Sequence, residues 1–153
     1  MAAGRKDGGV FAENRKARHD YAVLDTVECG MVLSGTEVKS IRAGSVSLSG
    51  SYAAVTGGEL WLFGADIQAY KFGNRFNHDP KARRKLLAHA KEIASLRMKT
   101  EAKGLTLVPL KIYEKSGRIK TLVGVCRGKA QRDRRETVKN RELKRETAAL
   151  LKR

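Results

Sequence analysis

The sequence predicts a mainly β domain, a small barrel with inserted helices, followed by a basic tail. Short apolar or alternating runs recur along the chain and are separated by glycine turns, as is typical of antiparallel β proteins. Only short helical patterns interrupt these runs, which argues against a parallel sheet with regular crossover helices. From Arg127 onward, core-forming residues become rare and cations dominate.

The charge balance points to a polyanionic partner. The 153 residues include 32 Lys and Arg against 16 Asp and Glu, which gives a net charge of +16. A merely soluble basic surface is the alternative. No stretch approaches the ~20 apolar residues that span a membrane, and the N-terminus lacks the apolar region of a signal peptide. We therefore expect a cytoplasmic protein.

Three segments are predicted from composition. Residues 1–12 are glycine-rich and should be a flexible leader. Residues 13–127 carry the apolar patterning of the β domain. Residues 128–153 form a basic tail.

The stretch ENRKARHDY, residues 13–21, leads into the first predicted strand at Tyr21–Leu24. It concentrates four basic or titratable side chains, which could bind a polyanion or be a solvated charge run. These side chains are Arg15, Lys16, Arg18 and His19.

The stretch from Glu28 to Tyr52 predicts a strand end, a short helix and a strand start. Thr36 is the predicted N-cap of the helix, and Gly44 the left-handed residue that ends it. Lys39 and Arg42, three residues apart, would form a cationic edge. Residues 45–49 alternate polar and apolar, as a half-buried strand does.

A β-hairpin and a long polar loop follow. Gly57-Gly58 separates two β-rich runs, 52–56 and 59–63, and predicts a two-residue turn. Residues 70–85 combine glycine, asparagine and proline, and loops of this length are often functional. The loop carries six cations: Lys71, Arg75, Lys81, Arg83, Arg84 and Lys85.

Helical spacing of apolar residues predicts an amphipathic helix over 86–100, ending at Lys103-Gly104. Two strand segments, 105–108 and 110–113, flank Pro109, which belongs at a sheet edge or a bulge. Ser116-Gly117 predicts a turn, and residues 119–125 return as a strand.

The tail from residue 127 holds eleven cations against four anions, a net charge of +7. Leu143, Leu150 and Leu151 lie on one helical stripe, yet a lone helix of this length is marginal in water. We expect a tail that is disordered when free and becomes helical on a partner.

No pattern for catalysis or for a cofactor emerges. Cys29 and Cys126 are isolated and predict buried, reduced thiols. His19, His78 and His89 lack the spacing of metal ligands. A basic nuclease that uses His19, His78 and Asp79 is the enzymatic alternative, but we expect a protein that is not an enzyme and that binds RNA.

Several motifs in this order resemble the tmRNA-binding SsrA-binding protein (small protein B) family of bacteria. They are ENRKARHDY, GTEVKSIRAG, SLSGSY, RKLL, VPLKIY and the junction of RGK with DRR. The resemblance covers the chain from about Ala12 onward. It implies an oligonucleotide-binding-like (OB-like) closed β-barrel with inserted helices, without enzymatic activity. It also implies binding of the tRNA-like domain of tmRNA (SsrA RNA) and its delivery, as alanyl-tmRNA held by elongation factor Tu, to ribosomes stalled on mRNA that lacks a stop codon.

The resemblance assigns RNA contacts to Asn14, Glu28, Leu87 and Lys120. A carboxylate such as that of Glu28 can accept from a base amino group or a 2′-hydroxyl. Together with the basic clusters, the predicted RNA-binding set is Asn14, Arg15, Lys16, Arg18, His19, Glu28, Lys39, Arg42, Arg83, Arg84, Lys85, Leu87, Lys120 and Lys129.

The resemblance also implies that the start of the tail works in the decoding centre and the empty mRNA channel of the ribosome, against 16S rRNA. The residues concerned are Lys129, Arg132, Asp133, Arg134 and Arg135. Two positions depart from the family pattern: Ala130 stands where lysine is usual, and Arg132 where histidine is frequent. A generic ribosome-associated or tRNA-binding translation factor is the alternative function.

Overall fold

The computed structural model describes residues 9–73, 77–129, 139 and 141–148. Within these residues it contains nine strands and three named helices, with a further helical stretch at 141–148. The strands are β1 Val10–Glu13, β2 Tyr21–Met31, β3 Val46–Ser47, β4 Tyr52–Thr56, β5 Glu59–Phe63, β6 Asp66–Ile67, β7 Arg84–Leu87, β8 Thr106–Lys115 and β9 Arg118–Gly128. The helices are α1 Arg15–Asp20, α2 Gly35–Arg42 and α3 Ala90–Lys103.

Seven strands form one antiparallel sheet in the order β1-β8-β4-β5-β7-β2-β9. Strand β9 also pairs with β8, so the pairings from β8 through β4, β5, β7, β2 and β9 close into a ring. The predicted mainly β fold with short inserted helices is confirmed. Strands β3 and β6 form a separate two-stranded sheet.

The β4–β5 hairpin is confirmed with the predicted turn. Gly57 and Gly58 have φ of 61° and 76°, a conformation that favours glycine. Alternate residues of the hairpin face the core, among them Ala53, Leu60 and Leu62. The opposite face of the hairpin carries its aromatic residues.

Strand β2 is one continuous strand of 11 residues, where the sequence predicted two shorter segments. It pairs with β9 along its length, from Tyr21 opposite Gly128 to Gly30 opposite Lys120. This β2–β9 ladder extends from α1 at one end to the candidate site at the other.

Helix α2 begins two residues earlier than predicted, because its N-cap is Ser34 and not Thr36. The Ser34 hydroxyl accepts from the Glu37 backbone N–H, and the Glu37 carboxylate accepts from the Ser34 backbone N–H at 2.9 Å. This reciprocal capping box satisfies two backbone donors at the helix start. Gly44 has φ of 80° after the helix, as predicted. The predicted strand over 45–49 is limited to Val46–Ser47.

The predicted helix over 86–100 is wrong at its start. Residues 84–87 form strand β7, which pairs with both β2 and β5, and α3 begins only at Ala90. Backbone pairing with two neighbours outweighs a helical apolar spacing that local sequence cannot distinguish from a strand. The helix ends as predicted, with Gly104 in the left-handed conformation.

Strands β8 and β9 form a hairpin through Ser116 and Gly117, both with positive φ. The register shifts between Pro109 and Lys111, which confirms the predicted bulge at Pro109. The bulge accommodates a residue that has no backbone N–H to donate to the ladder.

The main core fills the ring of strands with large aliphatic side chains such as Ile41, Leu60, Leu62 and Ile112, all of them fully buried. A second cluster lies under α1, where Ala17 packs on Val108, Leu110 and Cys126. Both cysteines are free and buried, as predicted. Burial raises the pKa of Cys29 to about 12, so it stays a neutral thiol.

At the two ends, the structure covers only part of the predicted segments. Residues 10–12, assigned to the flexible leader, belong to β1, which pairs with β8. Residues 1–8 lie outside the described part. In the tail, residues 141–148 are helical and every one is exposed. In the part of the chain that the structure describes, none of the helices combines the length and the apolar character that a membrane span requires.

Candidate nucleic-acid interface

Three strands bring together the side chains of a candidate site at one end of the β2–β9 ladder. Gly30 on β2 lies opposite Leu87 on β7 and opposite Lys120 on β9. Residues directly opposite each other across strands share a face, so Leu87 and Lys120 flank a position that has no side chain. Glu28, two residues before Gly30, lies on the same face of β2.

The Glu28 carboxylate is held from the neighbouring hairpin. The Tyr113 hydroxyl donates to Glu28 Oε2, and Lys115 Nζ lies 3.3 Å from Glu28 Oε1. The hydrogen bond from Tyr113 is the largest cause of a lowered pKa for Glu28, and Lys115 and the charge of Lys120 lower it further. Glu28 is therefore ionised at neutral pH, an acceptor with a fixed direction and partial exposure.

An open cleft of about 880 Å³ is lined by Glu28, Gly30, Leu87 and Lys120. Leu87 is 51% exposed in it and is available for contact with a ligand. The N-terminus of α3 contributes His89 and Glu92, and the β8–β9 turn contributes Gly117 and Arg118. The cleft thus combines an apolar residue, a fixed carboxylate and at least two cations.

Arg42 forms part of the cleft wall, but its guanidinium is largely used inside the protein. It donates to the buried carboxylate of Glu114 at 2.7 Å and to the Gly117 carbonyl at 3.4 Å. The predicted contact residue Arg42 therefore holds the β8–β9 turn in place. Its predicted partner on the cationic helix edge, Lys39, is exposed and lies 5.4 Å from the centre of the Tyr70 ring.

A second cationic group lies at the opposite end of the β2–β9 ladder. Arg15, Lys16 and Arg18 are exposed on α1, just before β2 begins. Lys129, which follows β9, donates its backbone N–H to the Asp20 carbonyl at 3.0 Å and its Nζ to the Arg18 carbonyl at 3.1 Å. The predicted α1 cations are therefore next to the start of the tail and not in the cleft.

His19 and His78 have partners that do not suit a joint catalytic role. His19 Nδ1 lies 3.0 Å from the Asp20 carboxylate. His78 bonds Thr36 Oγ1 through Nδ1 and the Ile67 carbonyl through Nε2, at 2.9 and 2.8 Å. His78, in the segment between β6 and β7, thus connects the start of α2 with the end of β6. In the described part of the chain, no group of three or more His, Cys, Asp or Glu could hold a metal ion.

Asn14 is 8% exposed and has structural partners. Its Oδ1 caps α1 by accepting from the Ala17 N–H at 3.2 Å, and its Nδ2 donates to the Pro109 carbonyl at 3.1 Å. The structure thus places Asn14 at the junction of α1 and β8, away from Glu28, Leu87 and Lys120. Asn14 would therefore affect RNA binding by holding α1 in position, because its side-chain oxygen and nitrogen are both used inside the protein.

The prediction of Arg84 as an RNA contact needs correction. Arg84 is 2% exposed, and its Nε donates to Glu37 Oε2 at 2.6 Å. Its remaining donors reach the carbonyls of Ala65, Pro80 and Asp79, each at 2.9 Å. The Arg84 guanidinium thus links α2 to the backbone at Asp79 and Pro80, just before β7. With these acceptors it is not available to a phosphate.

The neighbours of Arg84 point outward. The Arg83 guanidinium is exposed and lies 4.3 Å from the centre of the Trp61 ring, and Lys85 pairs with Glu59 at 3.0 Å. Lys85 lies on β7 and Arg83 directly precedes it, and neither residue lines the cleft. The predicted decoding-centre residues Arg132, Asp133, Arg134 and Arg135 lie outside the described residues.

Sequence reasoning missed Gly30 and Arg118 as residues that line the cleft, and Tyr113 as the residue that holds Glu28. In the sequence, Gly30 indicates only the end of a strand, and Tyr113 only a strand residue. A glycine inside a strand pattern often marks close approach of a ligand or of another chain segment, and that signal could have identified Gly30.

A model of the family described as "SmpB protein" matches residues 11–153. The SsrA-binding protein of Staphylococcus saprophyticus is 51% identical over 148 residues, covering 97% of this chain and 96% of that protein. The SsrA-binding protein of Ligilactobacillus salivarius is 49% identical over 152 residues, covering 99% and 98%.

A solved structure is also similar. It is described as "tmRNA-SmpB: a journey to the center of the bacterial ribosome", and its matching chain is 50% identical, with a TM-score of 0.65. The match covers 82% of this chain and 92% of that one.

Proposed function

The chain belongs to the SmpB family, and from this premise we propose that it is an RNA-binding protein of trans-translation. It binds tmRNA (SsrA RNA) and acts with it on the ribosome, as the SsrA-binding relatives and the tmRNA-SmpB structure indicate. Delivery of tmRNA to ribosomes stalled on mRNA without a stop codon follows from this role. It is a cytoplasmic role, since ribosomes and tmRNA are its partners.

The observation that carries the assignment of the binding site is the convergence of Glu28, Leu87 and Lys120 around Gly30. These three positions are distant in sequence and were assigned to RNA contact by the family resemblance alone. Their meeting in one open cleft supports the proposal that the cleft receives the tRNA-like domain of tmRNA.

Each residue has a distinct chemical task in this proposal. Glu28, ionised and held by Tyr113, accepts from a base amino group or a ribose 2′-hydroxyl. Lys120 neutralises a phosphate, and Leu87 packs on a sugar or on the face of an unstacked base. Gly30 leaves room for the RNA backbone between them. We assign the closed ring of strands as an OB-like barrel on the same basis.

The start of the tail has a second task. By similarity, Lys129 with Arg132, Asp133, Arg134 and Arg135 works in the vacant decoding centre and mRNA channel. Elongation factor Tu, carrying alanyl-tmRNA, is the further partner. The anchoring of Lys129 against α1 supports this division, because it gives the tail a defined point of departure from the barrel.

Capture of cellular RNA on the tagged protein, followed by sequencing, tests the proposal. The wild-type chain should retain tmRNA selectively over bulk tRNA, and Lys120→Ala should lose that selectivity. Lys91→Ala, which removes an exposed lysine from α3, is the matched control and should behave as wild type. Equal recovery of tmRNA and tRNA by the wild-type chain would favour the generic translation factor instead.

A further inference from the structure

The outer face of the β4–β5 hairpin carries three aromatic residues side by side. Tyr52 on β4 lies directly opposite Phe63 on β5, and Trp61 lies two residues before Phe63 on the same face. The Tyr52 and Phe63 rings stack with centroids 5.3 Å apart and an interplanar angle of 20°. We call Tyr52, Trp61, Phe63 and the adjacent Arg83 the aromatic platform.

This face is not the core face of the hairpin. The intervening residues Ala53, Leu60 and Leu62 fill the core, whereas Tyr52 is 49% exposed and Trp61 and Phe63 are half-buried. Exposing aromatic rings on two paired strands forgoes the free energy that their burial would release. A contiguous exposed apolar surface on a rigid sheet typically marks a binding site.

Cations border the rings. The exposed Arg83 guanidinium lies 4.3 Å from the centre of the Trp61 ring, and Lys85 lies directly opposite Trp61 on β7. Lys85 pairs with Glu59 at 3.0 Å, but among the described residues no carboxylate lies within salt-bridge distance of Arg83. The stacked guanidinium therefore keeps an outer face and a full charge for a ligand.

These features together favour one class of ligand. Flat aromatic faces bind nucleobases of any sequence, and bordering guanidinium and ammonium groups bind the phosphates between them. The net charge of +16 favours a polyanion over a protein surface. A duplex would not suit the platform, because its bases are already stacked on one another.

We propose that the aromatic platform binds an unpaired segment of RNA, with bases stacked on the Tyr52–Phe63 pair and on the Arg83 guanidinium over Trp61. The platform is distinct from the cleft, since its residues are not among those that line the cleft. The protein thus has a second RNA-binding surface, separate from the one that receives a folded tRNA-like domain.

Trp61 makes the proposal directly testable, because it is the single tryptophan of the chain. Titration of the full-length protein with a short oligoadenylate should quench Trp61 fluorescence in a saturable manner. The same oligoadenylate in a duplex with oligouridylate should not. Since the readout is local to the platform, RNA bound only by the basic tail or by the cleft would leave it unchanged.

Variants separate the platform from the cleft. Phe63→Leu should weaken the quenching titration by about tenfold, the effect of losing one stacked base. Arg83→Gln, an exposed change that does not threaten folding, should weaken it as well. Arg118→Gln removes the same charge from the cleft and should leave the titration as in wild type.

Three ligand results would overturn the proposal: no quenching by oligoadenylate, equal quenching by the duplex, or quenching by polyglutamate at the same concentration. Equal titrations for Arg83→Gln and Arg118→Gln would also overturn it. Quenching by polyglutamate would make the aromatic platform a surface that binds acidic protein segments. Capture of tmRNA through the cleft is measured independently with Lys120→Ala, so failure of one proposal is distinguishable from failure of the other.

Discussion

At the scale of single residues, Gly30 decides the shape of the cleft. A Cβ atom at this position would lie 3.4 Å from Leu87 Cβ, between the Leu87 and Lys120 positions on the neighbouring strands. Gly30 is not among the glycines with positive φ, so its backbone conformation is open to any residue. A side chain at this position would therefore strain no backbone but would occupy space in the cleft.

We expect Gly30→Val to fold normally, because a β-branched residue suits a strand, and to weaken tmRNA binding about tenfold or more, ~1.4 kcal/mol. Thermal unfolding and a tmRNA-binding titration measure the two effects. Gly128→Val, in the same ladder but with open space around it, is the control. Equal tmRNA affinities of Gly30→Val and Gly128→Val would show that RNA does not contact the cleft at Gly30.

The buried ion pair of Glu37 and Arg84 is the second feature at the scale of single residues, and it affects the stability of the fold. Burial acts to raise the pKa of Glu37, but hydrogen bonds from Ser34 and Arg84 and the charge of Arg84 outweigh it. The pKa is therefore lowered below its ordinary value of 4.5. A lowered folded-state pKa means that the pair contributes stability above the unfolded-state pKa and loses it as the pH falls through the folded-state value.

Urea unfolding between about pH 6 and about pH 3 should accordingly show a steeper loss of stability for the wild type than for Glu37→Gln. Near neutral pH, Glu37→Gln should be less stable by about 3 kcal/mol, because it leaves the Arg84 charge buried without its partner. Parallel stability curves for the two proteins would exclude Glu37 as the titrating group.

Sequence could predict the lining of the cleft only in part. Glu28, Leu87 and Lys120 are assigned to RNA contact through the family resemblance alone, since a lone leucine or lysine has no local signal for RNA contact, and the structure places all three in the cleft. Arg84 was grouped with Arg83 and Lys85 because composition treats three adjacent cations alike. Alternation along β7 turns the middle one inward, and only the pairing of β7 with both neighbours reveals this.

At the scale of elements, local signals predicted the hairpin at 52–63 and the turn at 116–117 because their glycine residues act within a few positions. The start of α3 could not be predicted in the same way. Leu86 satisfies both a helical and a strand pattern, and its strand state depends on pairing with residues some 26 and 55 positions away on β5 and β2.

The N-cap of α2 gives a test at this scale. Ser34→Ala removes the hydroxyl that accepts from Glu37 N–H and should lower the free energy of unfolding by about 1 kcal/mol. Ser49→Ala, at an exposed position outside the helix, should change it little. Chemical denaturation measures both, and equal stabilities would mean that Ser34 does not cap the helix.

At the scale of the whole molecule, the net charge of +16 is divided among separate surfaces. One group of cations lines the cleft, another lies on α1 beside the start of the tail, and a third borders the aromatic platform. The sequence predicted a polyanion as partner but not this division, because the position of each cation depends on strand register between distant segments.

Because the cleft and the start of the tail lie at opposite ends of the β2–β9 ladder, we can predict the effect of removing the tail. A chain that ends after Lys129 should unfold at the same temperature as the full chain and bind tmRNA with similar affinity, while tagging of stalled nascent chains should be lost. Ending after Gly128 also removes the hydrogen bonds that the Lys129 N–H and Nζ donate to α1, and should destabilise the β domain by about 1–2 kcal/mol.

Thermal unfolding, tmRNA titration and a tagging assay distinguish these outcomes. If the chain ending after Lys129 loses tmRNA affinity as severely as Lys120→Ala does, the tail shares in holding the RNA. The separation between cleft and tail would then be wrong.

The β2–β9 ladder connects these two activities by a fixed length. Lys120 and Gly128 are eight residues apart on β9, roughly 26 Å at ~3.3 Å per residue, and backbone hydrogen bonds to both neighbouring strands prevent extension. If the cleft holds an RNA on the ribosome, as we propose, the first residue of the tail is therefore confined to a small volume at a set distance. Any contact that the tail then makes with the ribosome lies within one complex. The effective concentration of the tail is then determined by the length of the ladder and not by the abundance of the protein in the cell.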